Sequence, residues 1–167
     1  LRAIQRLAQA LAMKGDPEQG LAVAQDGLQR ARALGSLTSQ SRLVNAMAVC
    51  AAEQGDLVAA LQYSLLDLSL SREAQHRVNE AIGHGNVAVG YLHFGDHARA
   101  SPHLEEALKL NRALGSREFE GSTLGAMSDL ALREGQDALA LERAQASLNI
   151  LTAAGSRMHL TDTLWSL

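Results

Sequence analysis

The feature that most constrains this chain is punctuation at a fixed interval. Gly15-Asp16, Gly55-Asp56 and Gly95-Asp96 stand forty residues apart, and Gly135-Gln136 is the fourth member. A second mark keeps the same step: Leu34-Gly35-Ser36, Ala74-Gln75-His76, Leu114-Gly115-Ser116 and Ala154-Gly155-Ser156. Two marks in one register define an internal repeat, which decides the architecture before any single residue does.

The columns between the marks agree. Leu7, Met47, Val87 and Met127 are large and apolar, and Ala8, Ala48, Ala88 and Ser128 beside them are small. After the first mark come Gly20, Ala60, Ala100 and Ala140, then Leu28, Leu68, Leu108 and Leu148. Large and small columns at helical spacing describe two closely packed helices per unit. Glycine at the turn suits a left-handed residue closing the first helix. The following Asp suits an N-cap, and Pro17 fits the first turn of a helix whose N–H groups are unpaired in any case. Aromatic residues make up only 3% of the chain, which disfavours sheet. A helix–turn–helix of this kind cannot bury its apolar face alone, so the units must stack. The reading is an all-α chain of repeats at about 1–40, 41–80, 81–120 and 121–160. A fifth starts near the end, where Leu160, Leu164 and Trp165 are expected to pack on the fourth unit. The chain opens on Leu1, and Leu167 falls within an apolar pattern, so it is expected to be a piece of a longer protein.

With these columns the chain resembles the tetratricopeptide repeat. Ala8, Ala48, Ala88 and Ser128 fill that family's small eighth position, and Gly20, Ala60, Ala100 and Ala140 its twentieth. Gly27, Ala107 and Ser147 suit the twenty-seventh, whereas Asp67 does not. The third unit, AVGYLHFGDHARASPHLEEALKL, matches best. The family's usual proline late in the second helix is replaced by Arg32, Arg72, Arg112 and Thr152. The unit also exceeds the common length of about 34 residues, and both departures predict longer second helices. The chain is similar to the long variety found in kinesin light chains, G-protein signalling modulators, and large bacterial regulators and cyclases. The resemblance implies a right-handed α-α superhelix whose first helices line a concave groove for a peptide or partner domain.

By resemblance, the groove-facing positions are Arg2, Gln5, Arg6, Gln9, Arg42, Asn45, Val49, Asn86, Val89, His93, Asp129 and Arg133. Asn45 and Asn86 each offer a donor and an acceptor to a peptide backbone. Val49 and Val89 offer apolar contact, and Arg42, Asp129 and Arg133 select charge. His93 completes the set. Ala46, Gly85, Gly125 and Ala126 are expected to keep the groove centre shallow. The basic clamp by which chaperone-associated relatives hold a terminal carboxylate is not reproduced, because Gln5, Gln9, Ala46, Ile82 and Asn86 occupy its positions.

Other chemistries fit poorly. Gly83-His84-Gly85 followed by Gly90 is not a dinucleotide or phosphate-loop motif, and these glycines read as close helix–helix contacts. His93 and His97 straddle a turn, so they do not share a helix face as metal ligands would, and no metal or other cofactor is expected. No catalytic motif is present, so the segment is read as non-enzymatic. Net charge is −3 with dispersed arginines, which argues against a nucleic-acid surface. No stretch is apolar enough for a membrane span. Cys50 is the lone cysteine and reads as a small buried hydrophobe in a reducing, cytoplasmic setting. The leading expectation is a protein-interaction module, the scaffolding or sensing part of a larger regulatory protein. The alternative is self-association, with apolar ends around Leu1, Ile4 and Leu7 and around Leu160, Leu164 and Trp165 forming a homodimer. Pro102, inside a second helix, predicts a kink.

Overall fold

The computed structural model describes residues 1–155. They form α1 (Arg2–Met13), α2 (Pro17–Ala33), α3 (Leu37–Glu53), α4 (Leu57–Glu73), α5 (Arg77–His93), α6 (His97–Ala113), α7 (Arg117–Arg133) and α8 (Asp137–Ala153). Consecutive helices pack antiparallel as hairpins, and α1, α3, α5 and α7 also touch one another in succession. The first helices of the units therefore line one face of a stacked superhelix. The fifth unit and its apolar residues lie outside the described residues.

The true structural period is half the sequence repeat. From α2 onward every helix has 17 residues, and three connecting residues complete each step of twenty. The extra length of this repeat is thus shared by both helices of a unit, and is not confined to the second as the missing proline suggested. Each connection is the same device. The residue at positions 15, 35, 55, 75, 95, 115, 135 and 155 has positive φ. Around Gly55, its N–H donates to the Ala52 carbonyl and the next N–H, of Asp56, reaches back to Ala51. That pair of bonds closes the orphan carbonyls of the preceding helix. Asp56 then caps the next helix, its carboxylate accepting the Ala59 N–H at 2.9 Å. Asp16 and Asp96 do the same for α2 and α6. One residue closes a helix and the next opens another, so the turn has no slack. Among the described residues Gln75 alone takes the left-handed conformation without being glycine, at φ 51°.

The columns predicted from the repeat form the core. Ala8, Ala48, Ala88 and Ser128 are buried, as are Met47, Val87 and Met127. Val87 packs with Leu68 of the preceding unit, and Met47 with Ala24 and Leu28. Leu7 is the exception. It has no preceding unit among the described residues and is exposed. Cys50 is fully buried against the Ala8 carbonyl, and burial raises its pKa. Gly83 and Gly90 are close-contact glycines, as expected: an added Cβ would meet the Leu68 backbone at 3.2 Å and a Leu61 methyl at 2.8 Å. Gly85 is not, since nothing lies within 4 Å of its Cβ position. α6 continues through Pro102 without a break. Proline removes the bond to the Ala98 carbonyl, but both residues are exposed, so water can satisfy that oxygen.

Candidate functional site

Two depressions lie side by side between α3 and α5, and they gather seven of the twelve groove positions expected from the sequence. The larger, of about 160 Å³, is lined by Val49 and Ala52 of α3, Leu57 and Leu61 of α4, and Asn86, Val89 and His93 of α5. Its walls are mainly apolar. Val89 is 43% exposed although it is aliphatic, so it offers contact area to a ligand. Asn86 is half-buried, and among the described residues its amide has no hydrogen-bond partner. Both its donor and its acceptor are therefore available in a poorly hydrated position.

The second depression, of about 90 Å³, is lined mostly by residues with polar side chains. Gln5, Arg42, Asn45, Asp67, Asn79 and Ile82 line it. Asp67 forms its floor and is 1% exposed. Ser41 Oγ donates to Asp67 Oδ1 at 2.6 Å and Ser71 Oγ to the same oxygen at 3.3 Å, while Asn79 Nδ2 donates to Ser41 Oγ at 3.0 Å. Burial pushes the Asp67 carboxyl up to about 6, and the Ser41, Ser71 and Asn45 side chains hold it from rising further. In the sequence Asp67 is only a misfit in a small-residue column. The structure shows how the misfit is housed: Ser41 and Ser71 are small enough to leave room and polar enough to bind it.

Asn45 is tied to the groove wall, its Oδ1 accepting from Gln9 Nε2 at 3.4 Å. Asp129 and Arg133 are both exposed on α7, one turn apart, and neither lines either of these two depressions. They fall in the same columns as Val89 and His93, so repeat register carries them along the face without gathering them into the site. Ala46, expected at the groove centre, is instead fully buried in the core.

Two polar clusters escape a reading of the sequence. Arg72 Nε and Arg77 Nη1 grip Glu80 at 3.3 and 3.0 Å, and forty residues on Arg112 and Arg117 grip Glu120 at 3.0 and 2.8 Å. These triads join the end of one unit's second helix to the start of the next unit, which gives Arg72 and Arg112 a role where the family has proline. The repeated spacing is visible in the sequence, but its meaning depends on knowing that those helix ends meet. The other cluster is His84, buried on α5. Arg72 Nη2 lies 2.9 Å from its Nε2, so that nitrogen accepts and Nδ1 carries the proton toward His103 Nδ1 at 3.0 Å. Burial, the Arg72 charge and His103 lower the His84 pKa to about 4. Among the described residues no group of three histidine, cysteine or acidic side chains is placed to hold a metal. No helix there is long and apolar enough to cross a membrane.

No family model and no curated protein matches the chain. Solved structures do. The apo form of RapI superposes with a TM-score of 0.83 at 18% identity, over 91% of this chain and 56% of that one. BtubC (BKLC) from P. vanneervenii gives 0.84 at 19% identity, over 98% of this chain and 68% of that one. A Podosopora anserina structure described as kinesin light chain nearly identical TPR-like repeats gives 0.74 at 14% identity, over 99% and 92%. The chain therefore spans about half the length of RapI and most of the Podosopora repeats. With eight helices among the described residues, hairpin packing and a forty-residue unit, it has the fold of the tetratricopeptide-like superhelical repeats.

Proposed function

We propose that this chain is a protein-interaction module whose α3–α5 groove holds an extended segment of a partner protein or of another domain of its own polypeptide. The observation that carries the reading is the half-buried, unpartnered Asn86 amide set between Val49, Val89 and His93, beside a polar depression holding Arg42 and Asn45. An amide so placed can pair with both a peptide N–H and a peptide C=O. Loss of one such bond to a buried group weakens binding by about 1–3 kcal/mol. Asp129 and Arg133 extend charge selection along the same face. The work done is recognition rather than catalysis, in a cytoplasmic, scaffolding or sensing part of a larger regulatory protein.

A photocrosslinking residue in place of the exposed Val89 would capture the partner segment. Calorimetric titration of that segment should then show weaker binding by Asn86→Ala and by Arg42→Ala. Unchanged affinity in both variants refutes the groove reading. A homodimer without a peptide ligand is the second reading, supported by exposed Leu7 and Met13 on α1. Light scattering at tens of micromolar separates it from the first, since a monomer excludes it.

A further inference from the structure

We propose that the polar depression is a cation subsite, in which Asp67 receives the ammonium of a lysine side chain carried by the segment in the groove. The proposal rests on the groove reading above and specifies the chemistry of its occupant.

The argument begins with charge. Asp67 is buried, yet its hydrogen bonds come from neutral side chains. Among the described residues no cation is ion-paired with it. A carboxylate removed from water without a counter-charge is unfavourable unless a partner is supplied. This one is not sealed in the core, because it forms the floor of a depression open to the groove. Both hydroxyls donate to Oδ1 and the Asn45 amide also hydrogen-bonds the carboxylate, which still leaves lone pairs on its two oxygens for a further donor.

The remaining walls fit an ammonium. Its three N–H donors need acceptors. Gln5 and Asn79 line the same depression and each carries a side-chain carbonyl oxygen, whereas that of Asn45 already accepts from Gln9. Asn79 already commits its NH₂ to Ser41, leaving its oxygen as the group to offer. A compact ammonium on a slender stem reaches a recessed carboxylate more readily than a planar guanidinium, which demands a flat, two-pronged approach. Ile82 gives the methylene stem an apolar wall. Arg42 on the rim opposes a run of positive charges, so the site selects one lysine rather than a basic cluster.

Spacing supplies the second half of the motif. Arg42 and Asn45 line the polar depression, and Val49 and Ala52, seven residues further along α3, line the apolar one. Seven residues of helix rise about 10 Å. That distance is about three residues of extended chain. In a strand residues three apart face opposite sides, whereas a polyproline-II-like segment returns to the same side every third residue, after about 9 Å. The occupant is therefore an extended segment with a lysine and an aliphatic side chain three positions apart.

The test uses the chain as it stands and short acetylated, amidated peptides. One places Lys three positions before Leu and another three positions after it, with Ala and Gln elsewhere. Matched peptides carry norleucine in place of the lysine. Fluorescence anisotropy gives the affinities. One lysine peptide should bind about tenfold or more tightly than its norleucine partner, as expected for a buried, hydrogen-bonded charge pair. The ratio should fall to near one in Asp67→Asn. Equal binding of the lysine and norleucine peptides to the unaltered chain overturns the subsite. If that shared binding is still weakened by Asn86→Ala, the groove reading survives. Binding by none of the peptides overturns both.

Discussion

Asp67→Asn should stabilise this protein, by an amount that grows with pH. The carboxyl titrates near 6 in the folded chain, against an ordinary value of 3.8. The folded state therefore holds this proton more tightly than the unfolded state. Below the ordinary value both states are protonated, and the stability associated with neutral Asp67 is fully present. As pH rises through about 6 the folded protein must ionise a buried group, and that stability is lost. Raising a pKa by one corresponds to about 1.4 kcal/mol. Integrating the two titrations gives a penalty of about 1 kcal/mol at pH 4.5 and about 3 kcal/mol at pH 7. Asparagine keeps the shape and can still accept the Ser41 hydroxyl, but it carries no charge. Urea unfolding of both proteins from pH 4.5 to 8 measures the difference. The advantage of the variant should widen by about 2 kcal/mol between pH 4.5 and 7. A constant difference across that range would show that Asp67 is solvated or already paired, and the cation subsite would lose its physical basis.

Further substitutions test the scaffold. Gln75→Gly relieves the single non-glycine left-handed turn and should raise stability by about 0.5–1 kcal/mol, read as a higher urea midpoint. Gly20→Ala and Gly85→Ala are the same change in two helices and should differ in sign. The Gly20 methyl would sit 2.7 Å from the Ala8 carbonyl oxygen and should cost about 1–3 kcal/mol, whereas the Gly85 methyl meets nothing and should add about 1 kcal/mol of helix propensity. Thermal or urea unfolding of the two variants reads both signs. Glu120→Gln removes the charge shared by Arg112 and Arg117 and should cost about 1–2 kcal/mol, a loss that shrinks when the unfolding is repeated at high salt.

The repeat made the scaffold readable because its punctuation is backbone chemistry: a left-handed residue and a capping side chain in each turn. Where one turn lacks glycine, at Gln75, the neighbouring turns and packed helices hold the conformation, and local propensity could not have shown it. The groove columns were readable for a related reason. Residues such as Val49 and Val89 sit at fixed angles on the first helices, whatever their neighbours. Depth was not readable, because it depends on side chains from a third helix. Leu57 and Leu61 of α4 wall the apolar depression at Val89 and His93, while Asp129 and Arg133, one unit on in the same columns, line neither depression. The polar clusters were least readable. His84 and His103, or Arg72 and Glu80, acquire meaning only once the helix ends that carry them are known to meet.

Asp67 and His84 also illustrate how a repeat array can hide its own exceptions. Both are buried and both replace ordinary packing residues: Gly27, Ala107 and Ser147 share the column of Asp67, and Ile4, Val44 and Leu124 that of His84. Their linkage to pH has opposite sign. The histidine titrates near 4 when folded and 6.5 otherwise, so its contribution is present above 6.5 and lost as pH falls toward 4. The loss reaches about 2–3 kcal/mol at pH 4.5, while the Asp67 penalty there is only about 1 kcal/mol. At pH 7 the histidine penalty has nearly vanished and the aspartate penalty stands at about 3 kcal/mol. The two trends run in opposite directions between pH 4.5 and 7 and so offset each other in the unaltered protein. The cancellation is in the total only, because the two penalties fall in different places. At pH 7 nearly all of it rests on the floor of the groove, where a bound cation can remove it.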